Sequence, residues 1–445
     1  MTPTDIRKKT TPNSGPPGGE IAILGPLRGI AALAVMWFHF TRPSDLLPSG
    51  TSRFNDLLIA SGGWGWMGVE IFFAISGFIL PYSMYRGRYR IKYFLTFIIK
   101  RVVRIDPPYF ASIALVLALW WLATHVPGFQ GRNFQIDYSG LFAHVGYLND
   151  ILGYSWANPV YWTLALEFQF YLLIAILFPL AVHRRRSICW LFGPMLGLVQ
   201  LCLPGTNTIF SWLGYFGLGV ITFQAYSRII PKWFFWVSLF ALGAIVSENG
   251  GIAAATLAIG TCITILFASH SFAQLWNRPH RILSWIGAIS YSLYLLHCPI
   301  GGKIINLGGR LSPSPWIACL FLAIGVAVSL LSAWIFYVGI ERPAKRVASS
   351  IRYRSNKVEL NNIQIDESPE LIAALKSQSP IYLCTDDADQ QELLLNLIVA
   401  SKSLESHATH SRISQIAFCN FTEAATLRDN DATVLDLRPL IRRAA

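Results

Sequence analysis

Residues 65–85 read GWMGVEIFFAISGFILPYSMY, and this stretch decides which solvent the chain is built for. Glu70 is its only Asp, Glu, Lys or Arg. A run of about 18 or more mainly apolar residues crosses roughly 30 Å of hydrocarbon as a helix, which satisfies every backbone N–H and C=O internally. Working outward in both directions, similar runs recur at about 21–40, 106–124, 160–182, 188–203, 207–225, 232–247, 252–269, 283–302 and 315–340. The expected fold is an all-α polytopic membrane bundle of about ten transmembrane helices. The fifth and seventh runs are the shortest and suit tilted or re-entrant segments.

Composition agrees with this reading. Hydrophobic residues make up 53% of the 445 and charged residues 13%, too apolar a balance for soluble domains of that length. The net charge of +12 raises the question of nucleic acid, and the placement of the cations answers it. They fall between the apolar runs: Arg86, Arg88, Arg90, Lys92, Lys100, Arg101 and Arg104 after the second, Arg184, Arg185 and Arg186 after the fourth, Arg228 and Lys232 after the sixth, and Arg278 and Arg281 after the eighth. The alternate loops are poorer in charge. That asymmetry puts both termini on the cytoplasmic side, with Arg342, Lys345 and Arg346 anchoring the last helix there, and no nucleic-acid partner is expected. Residues 1–20 form a cytoplasmic segment without an A-x-A-like cleavage site after the first apolar run, so that run is expected to be retained. The seven cysteines show no CxxC or metal spacing and read as free thiols.

The membrane domain runs over 21–347, and the composition turns polar and acidic in the tail, 348–445. There SPIYLCT, DADQQELLLNLIVASKSLES and RISQIAFCNF read as strand, helix and strand, consistent with a small C-terminal cytoplasmic α/β module. It has no Gly-rich phosphate loop and no nucleophile elbow.

Ionisable side chains inside apolar runs are costly, so they mark function or buried pairing. Arg28 and His39 share the first run, Glu70 opens the second, Glu167 lies in the fourth and His297 in the ninth. With a rise of about 1.5 Å per residue, His39, Glu70, Glu167 and His297 fall in the outer half of the bilayer, and Arg28 about 16 Å further in. Zinc sites show paired ligands at short spacing, and none occurs here, so no metal is expected. A histidine near a carboxylate is the minimal general base for a hydroxyl, which favours His39 with Glu167. The alternative for each histidine is a helix cap or a buried hydroxyl partner. Arg101 and Arg104, in KRVVRIDPPYF, suit the phosphates of an anionic ligand, although the positive-inside rule places arginine at the same boundary.

These residues also carry a resemblance. LRGIAALAVMWFH, GVEIFFAISGFIL, RVVRIDPPYF, YWTLALEFQFYLL, ISYSLYLLHCPI and ERPAKR, in that order over roughly 20–347, resemble the blocks of the membrane acyltransferase-3 family. The resemblance implies a bacterial inner-membrane enzyme that moves an acyl group, commonly acetyl, from cytoplasmic acyl-CoA to a hydroxyl of a saccharide or glycolipid acceptor at the outer face, with no resident cofactor. By the same resemblance Arg28, Arg101 and Arg104 serve the CoA side and His39 and Glu167 the chemistry. Glu70, Ser76, Tyr291, Tyr294 and His297 contact substrate or support the site. The tail is too short for the esterase-like domain found in some members and lacks its GDS-like motif. Direct transfer and relay through an acyl-enzyme both remain open. A proton-coupled exporter of glycans or lipids is the competing expectation, since intramembrane His and Glu also make proton relays.

Overall fold

The computed structural model describes residues 21–126, 133–203, 205, 208–268, 281–311, 314–351, 381–384, 416–419 and 433–436. The chain divides into two compact units, Met1–Tyr353 and Arg354–Ala445. Ten helices open the first unit: α1 (Leu24–Phe40), α2 (Arg53–Gly62), α3 (Gly68–Arg86), α4 (Phe94–Thr124), α5 (Tyr138–Val145), α6 (Asn149–Leu152), α7 (Tyr161–Ala181), α8 (Arg186–Cys202), α9 (Leu213–Tyr226) and α10 (Lys232–Ala268). The helices Arg281–Ala288, Ser290–Leu296, Gly302–Gly309, Pro315–Phe336 and Arg342–Ser350 follow. One-turn π segments at His297–Gly301 and Tyr337–Glu341 interrupt them, a distortion that often accompanies functional sites.

The apolar stretch that decided the fold becomes the axis of the bundle. Almost all of α3 is buried, against α1, α7, α9 and α10. Its approach to α9 depends on glycine: a Cβ at Gly77 would lie 2.2 Å from the Phe216 carbonyl oxygen, and one at Gly219 2.2 Å from that of Ala74. Small residues let helix backbones meet where lipid supplies no hydrophobic drive between helices.

Among the described residues five helices are long and apolar enough to cross a membrane: Arg53–Arg86, Ile91–Thr124, Tyr161–Ala181, Lys232–Phe267 and Pro315–Ser350. A sixth is added if Ile282–Ala288 and Ser290–Gly309, bent by 64°, count as one span. The difference from the expected ten has physical causes. At 17 residues, α1 and α8 rise only about 26 Å. The runs at 232–247 and 252–269 form one element, broken at Gly251, whose φ of 79° no continuous helix adopts. Two further departures concern helix starts. Helix α2 occupies what reads as a polar loop, capped by the Ser52 hydroxyl accepting from the Asn55 N–H. Helix α4 begins well before the expected residue 106, which puts Arg101 and Arg104 inside it.

In the second unit three four-residue strands are described, Ile381–Cys384, Ile416–Cys419 and Thr433–Asp436. They pair in parallel with the first in the middle, Ile381 opposite both Ile416 and Thr433. The helix expected between the first two lies outside the described residues, and the third strand was not foreseen. An α/β module is therefore shown only as far as these strands.

Candidate functional site

Facing side chains of α1, α3, α4, α7 and the helix Ser290–Leu296 enclose a cavity of about 90 Å³. Arg28, Ser76, Arg101, Arg104, Glu167, Tyr291 and Tyr294, singled out from sequence on four separate apolar runs and the basic stretch before the third, all line it. Helical period explains the convergence, because Phe72, Ser76 and Ile79 on α3 and Leu164, Glu167 and Tyr171 on α7 repeat at three- to four-residue spacing and so share one face of each helix.

Contacts fix the orientation of these groups. The Ser76 hydroxyl donates to Glu167 Oε1 at 2.8 Å. Arg101 donates through Nη2 to the Ser83 hydroxyl at 3.2 Å and lies over the rings of Phe97 and Tyr171, at 5.1 and 5.6 Å. The Tyr291 hydroxyl donates to the Ile105 carbonyl at 3.0 Å, tying its helix to α4 just before Pro107 and Pro108. The Tyr294 hydroxyl is 2.8 Å from that of Thr163.

The cavity also contains residues that the sequence reading missed. Glu341 is wholly buried, accepts the N–H and hydroxyl of Ser292, and pairs with Lys345 at 2.6 Å. The signal was the i,i+4 spacing inside ERPAKR. Lys345 had been read as a membrane anchor, yet it turns into the cavity, while Arg342 and Arg346 stay exposed.

A wider groove of about 1130 Å³ adjoins the cavity and shares Arg28, Ile79, Arg101, Arg104 and Lys345 with it. Arg86 and Lys100 extend the cationic lining, and the groove has no acidic side chain among its described residues. Clustered arginines without carboxylates suit a polyanion with several phosphate oxygens.

His39 and His297 form a neighbouring group, their ring centroids 5.2 Å apart, with Tyr294 5.9 Å from His297 and so a wall shared with the cavity. His297 is wholly buried. Its Nδ1 lies 3.0 Å from the Leu293 carbonyl oxygen and therefore carries the proton, which leaves the unpartnered Nε2 with a lone pair. No hydrogen bond or ion pair joins His39 to Glu167 or Glu70 among the described residues, so the ring beside His39 belongs to His297 where a carboxylate had been expected. The ligating atoms of His39, His297 and Cys298 all lie within 4.8 Å of one another, a set able to hold zinc with one position open. Sequence spacing could not reveal it, because the two histidines sit on distant helices. Glu70 lies elsewhere, in a third pocket.

The family model described as an acyltransferase domain, Acyl_transf_3, matches residues 24–338. Among curated proteins, one carrying the name membrane-bound transacylase BcsY, from Komagataeibacter xylinus, is 27% identical over 71% of this chain and 81% of its own. One carrying the name acetyltransferase ORF330, from Acidianus two-tailed virus, is 25% identical over 62% of this chain and 81% of its own. Nodulation protein 10 of Rhizobium leguminosarum bv. viciae is 25% identical over 73% and 93%. No solved structure matches the chain. A matched segment from the first helix into the last long one, enclosing every site residue singled out from sequence, means that this chain belongs to the acyltransferase-3 family and is a membrane acyltransferase of groups other than amino-acyl groups.

Proposed function

We propose that the enzyme transfers an acyl group, acetyl by preference, from acyl-CoA to a hydroxyl of a saccharide acceptor. The carboxylate-free cationic groove opening into a narrow cavity carries this reading. Phosphates of the donor rest on Arg86, Lys100, Arg101 and Arg104, and the pantetheine arm extends past Arg28 and Glu167. The thioester carbonyl then lies near Tyr294 and the histidine pair.

His39 acts as the general base. It takes the proton of the acceptor hydroxyl as that oxygen attacks the thioester carbonyl carbon; the C–S bond breaks, and the proton passes from His39 to the leaving thiolate. His297 stabilises the transient imidazolium through its free Nε2. Glu167, held by Ser76, balances Arg28 and keeps the arm of the cavity polar. The exporter reading loses its footing, because the buried charges it rested on belong to an acyltransferase.

In the same proposal about ten segments cross a bacterial inner membrane, with the groove on the cytoplasmic side, where CoA is made, and the histidines toward the outer face. The test is transfer of labelled acetyl from acetyl-CoA in membrane vesicles. His39→Ala, expressed at wild-type abundance, is expected to transfer none; wild-type product from that variant refutes the base assignment.

A further inference from the structure

The third pocket, about 570 Å³, is not used by the mechanism above. Its walls are Trp66, Trp156, Trp162 and Trp212, all half-buried, and two carboxylates, Glu70 and Asp150, face it. Four of the chain's fifteen tryptophans meet at one cavity. They come from the starts of α3, α7 and α9 and from the segment before α7, so they gather at one end of the bundle. That end is also where His39 lies, since the turn carrying Trp66 packs on α1 there: a Cβ on Gly65 would fall 2.1 Å from the Ala34 carbonyl oxygen and 2.9 Å from Phe38 Cβ.

Glu70 is the second observation. It is wholly buried, it lines this pocket, and neither carboxylate oxygen has a hydrogen-bond partner. An unpartnered buried carboxylate is costly unless something supplies donors. Asp150, by contrast, accepts from Trp156 Nε1 at 2.8 Å, which fixes that indole as a wall. Trp162 and Trp212 stand 5.4 Å apart, tilted by 46°, and Trp212 is braced against Phe73 and Tyr215.

Broad indole faces with a few fixed polar groups suit a pyranose ring. Its C–H face packs on the aromatic surface while its hydroxyls donate to carboxylates at the edge. Asn249, at the break in α10, and Ser211 add neutral hydrogen-bonding groups, and the volume exceeds what one small cation would fill. We infer that this tryptophan-walled pocket binds a saccharide residue of the acceptor, with Glu70 accepting from its hydroxyls. The inference rests on the acyl-transfer reading only for the word acceptor; the pocket's preference for a sugar ring stands apart from it.

The test uses the full chain in lipid nanodiscs and saturation-transfer NMR with a panel of soluble tetrasaccharides of glucose and of N-acetylglucosamine, and with choline. At least one tetrasaccharide is expected to bind through its ring C–H protons. Trp66→Ala is expected to weaken that binding at least about tenfold, as loss of one stacking face would. Trp66 touches no other aromatic ring among the described residues, and wild-type CoA binding by the variant confirms the fold. Glu70→Ala is expected to weaken binding similarly, and Glu70→Gln, which keeps an acceptor oxygen, to restore part of it. Binding of no tetrasaccharide, binding of choline alone, or equal binding by wild type and the Trp66 variant overturns the inference. Acetyl transfer to a tetrasaccharide with unchanged KM in the Trp66 variant overturns the pocket and leaves the transferase reading intact. Tryptophan-dependent sugar binding without any acetylated product does the reverse.

Discussion

At the scale of single residues, the cavity is a meeting of charges that bilayer and protein would otherwise exclude. Arg28 and Arg104 make no ion pair among the described residues, and both line the cavity and the groove. Replacing Arg104 with Ala is expected to raise the KM for acetyl-CoA about tenfold, the loss of one charge-assisted contact to phosphate, with less effect on kcat; initial rates against donor concentration check this. Lys345 is different, because its partner Glu341 is wholly buried. Lys345→Met leaves that carboxylate uncompensated and is expected to cost about 3 kcal/mol, read as a lower midpoint of thermal unfolding in detergent. The histidine pair allows a sharper decision. A base with a free lone pair and a zinc ligand make opposite demands on His39, and elemental analysis of the purified protein separates them. Less than one zinc per ten chains is expected, and a stoichiometric metal would refute the base assignment.

At the scale of elements, close helix contacts hold the cavity open to the right ligand. Gly219→Val would drive a branched side chain into the Ala74 carbonyl and part α3 from α9, at a cost of about 3 kcal/mol or more. Less folded protein recovered from membranes, with Gly219→Ala intermediate, is the expected result. Which segments are helical was legible in the apolar runs, and so was which ionisable residues lie within them. Helix starts were not. Lys100, Arg101 and Arg104 near the start of α4 read as loop cations, yet they continue the helix and bring Arg101 to the cavity wall. Helix α2 escaped notice because its apolar face is short and its signal is a single serine cap. The partner of His39 was also illegible, since contact between α1 and the ninth run depends on packing, and a carboxylate was the chemically obvious choice.

At the scale of the whole molecule, the groove adjoins the cavity and shares Arg28, Arg101 and Arg104 with it, and the proposed orientation of both is open to test. If the Arg184–Arg186 loop faces the cytoplasm, a cysteine introduced at Arg184 in a variant without other exposed cysteines is expected to react with an impermeant maleimide only in inverted vesicles, and one at Gly153 only in intact spheroplasts. The reverse pattern would put the groove on the side without CoA. The sequence alone determined that this chain is a membrane protein, which runs are helical and which residues carry charge into them, because run length and the cost of buried charge are local properties. Only the tertiary structure decided the company those residues keep: Glu167 with Ser76, His39 with His297 and Cys298, Glu70 among tryptophans, Lys345 with Glu341. Such company is a matter of which helix faces which, and that is set by the fit of glycines and bulky side chains between elements far apart in the chain.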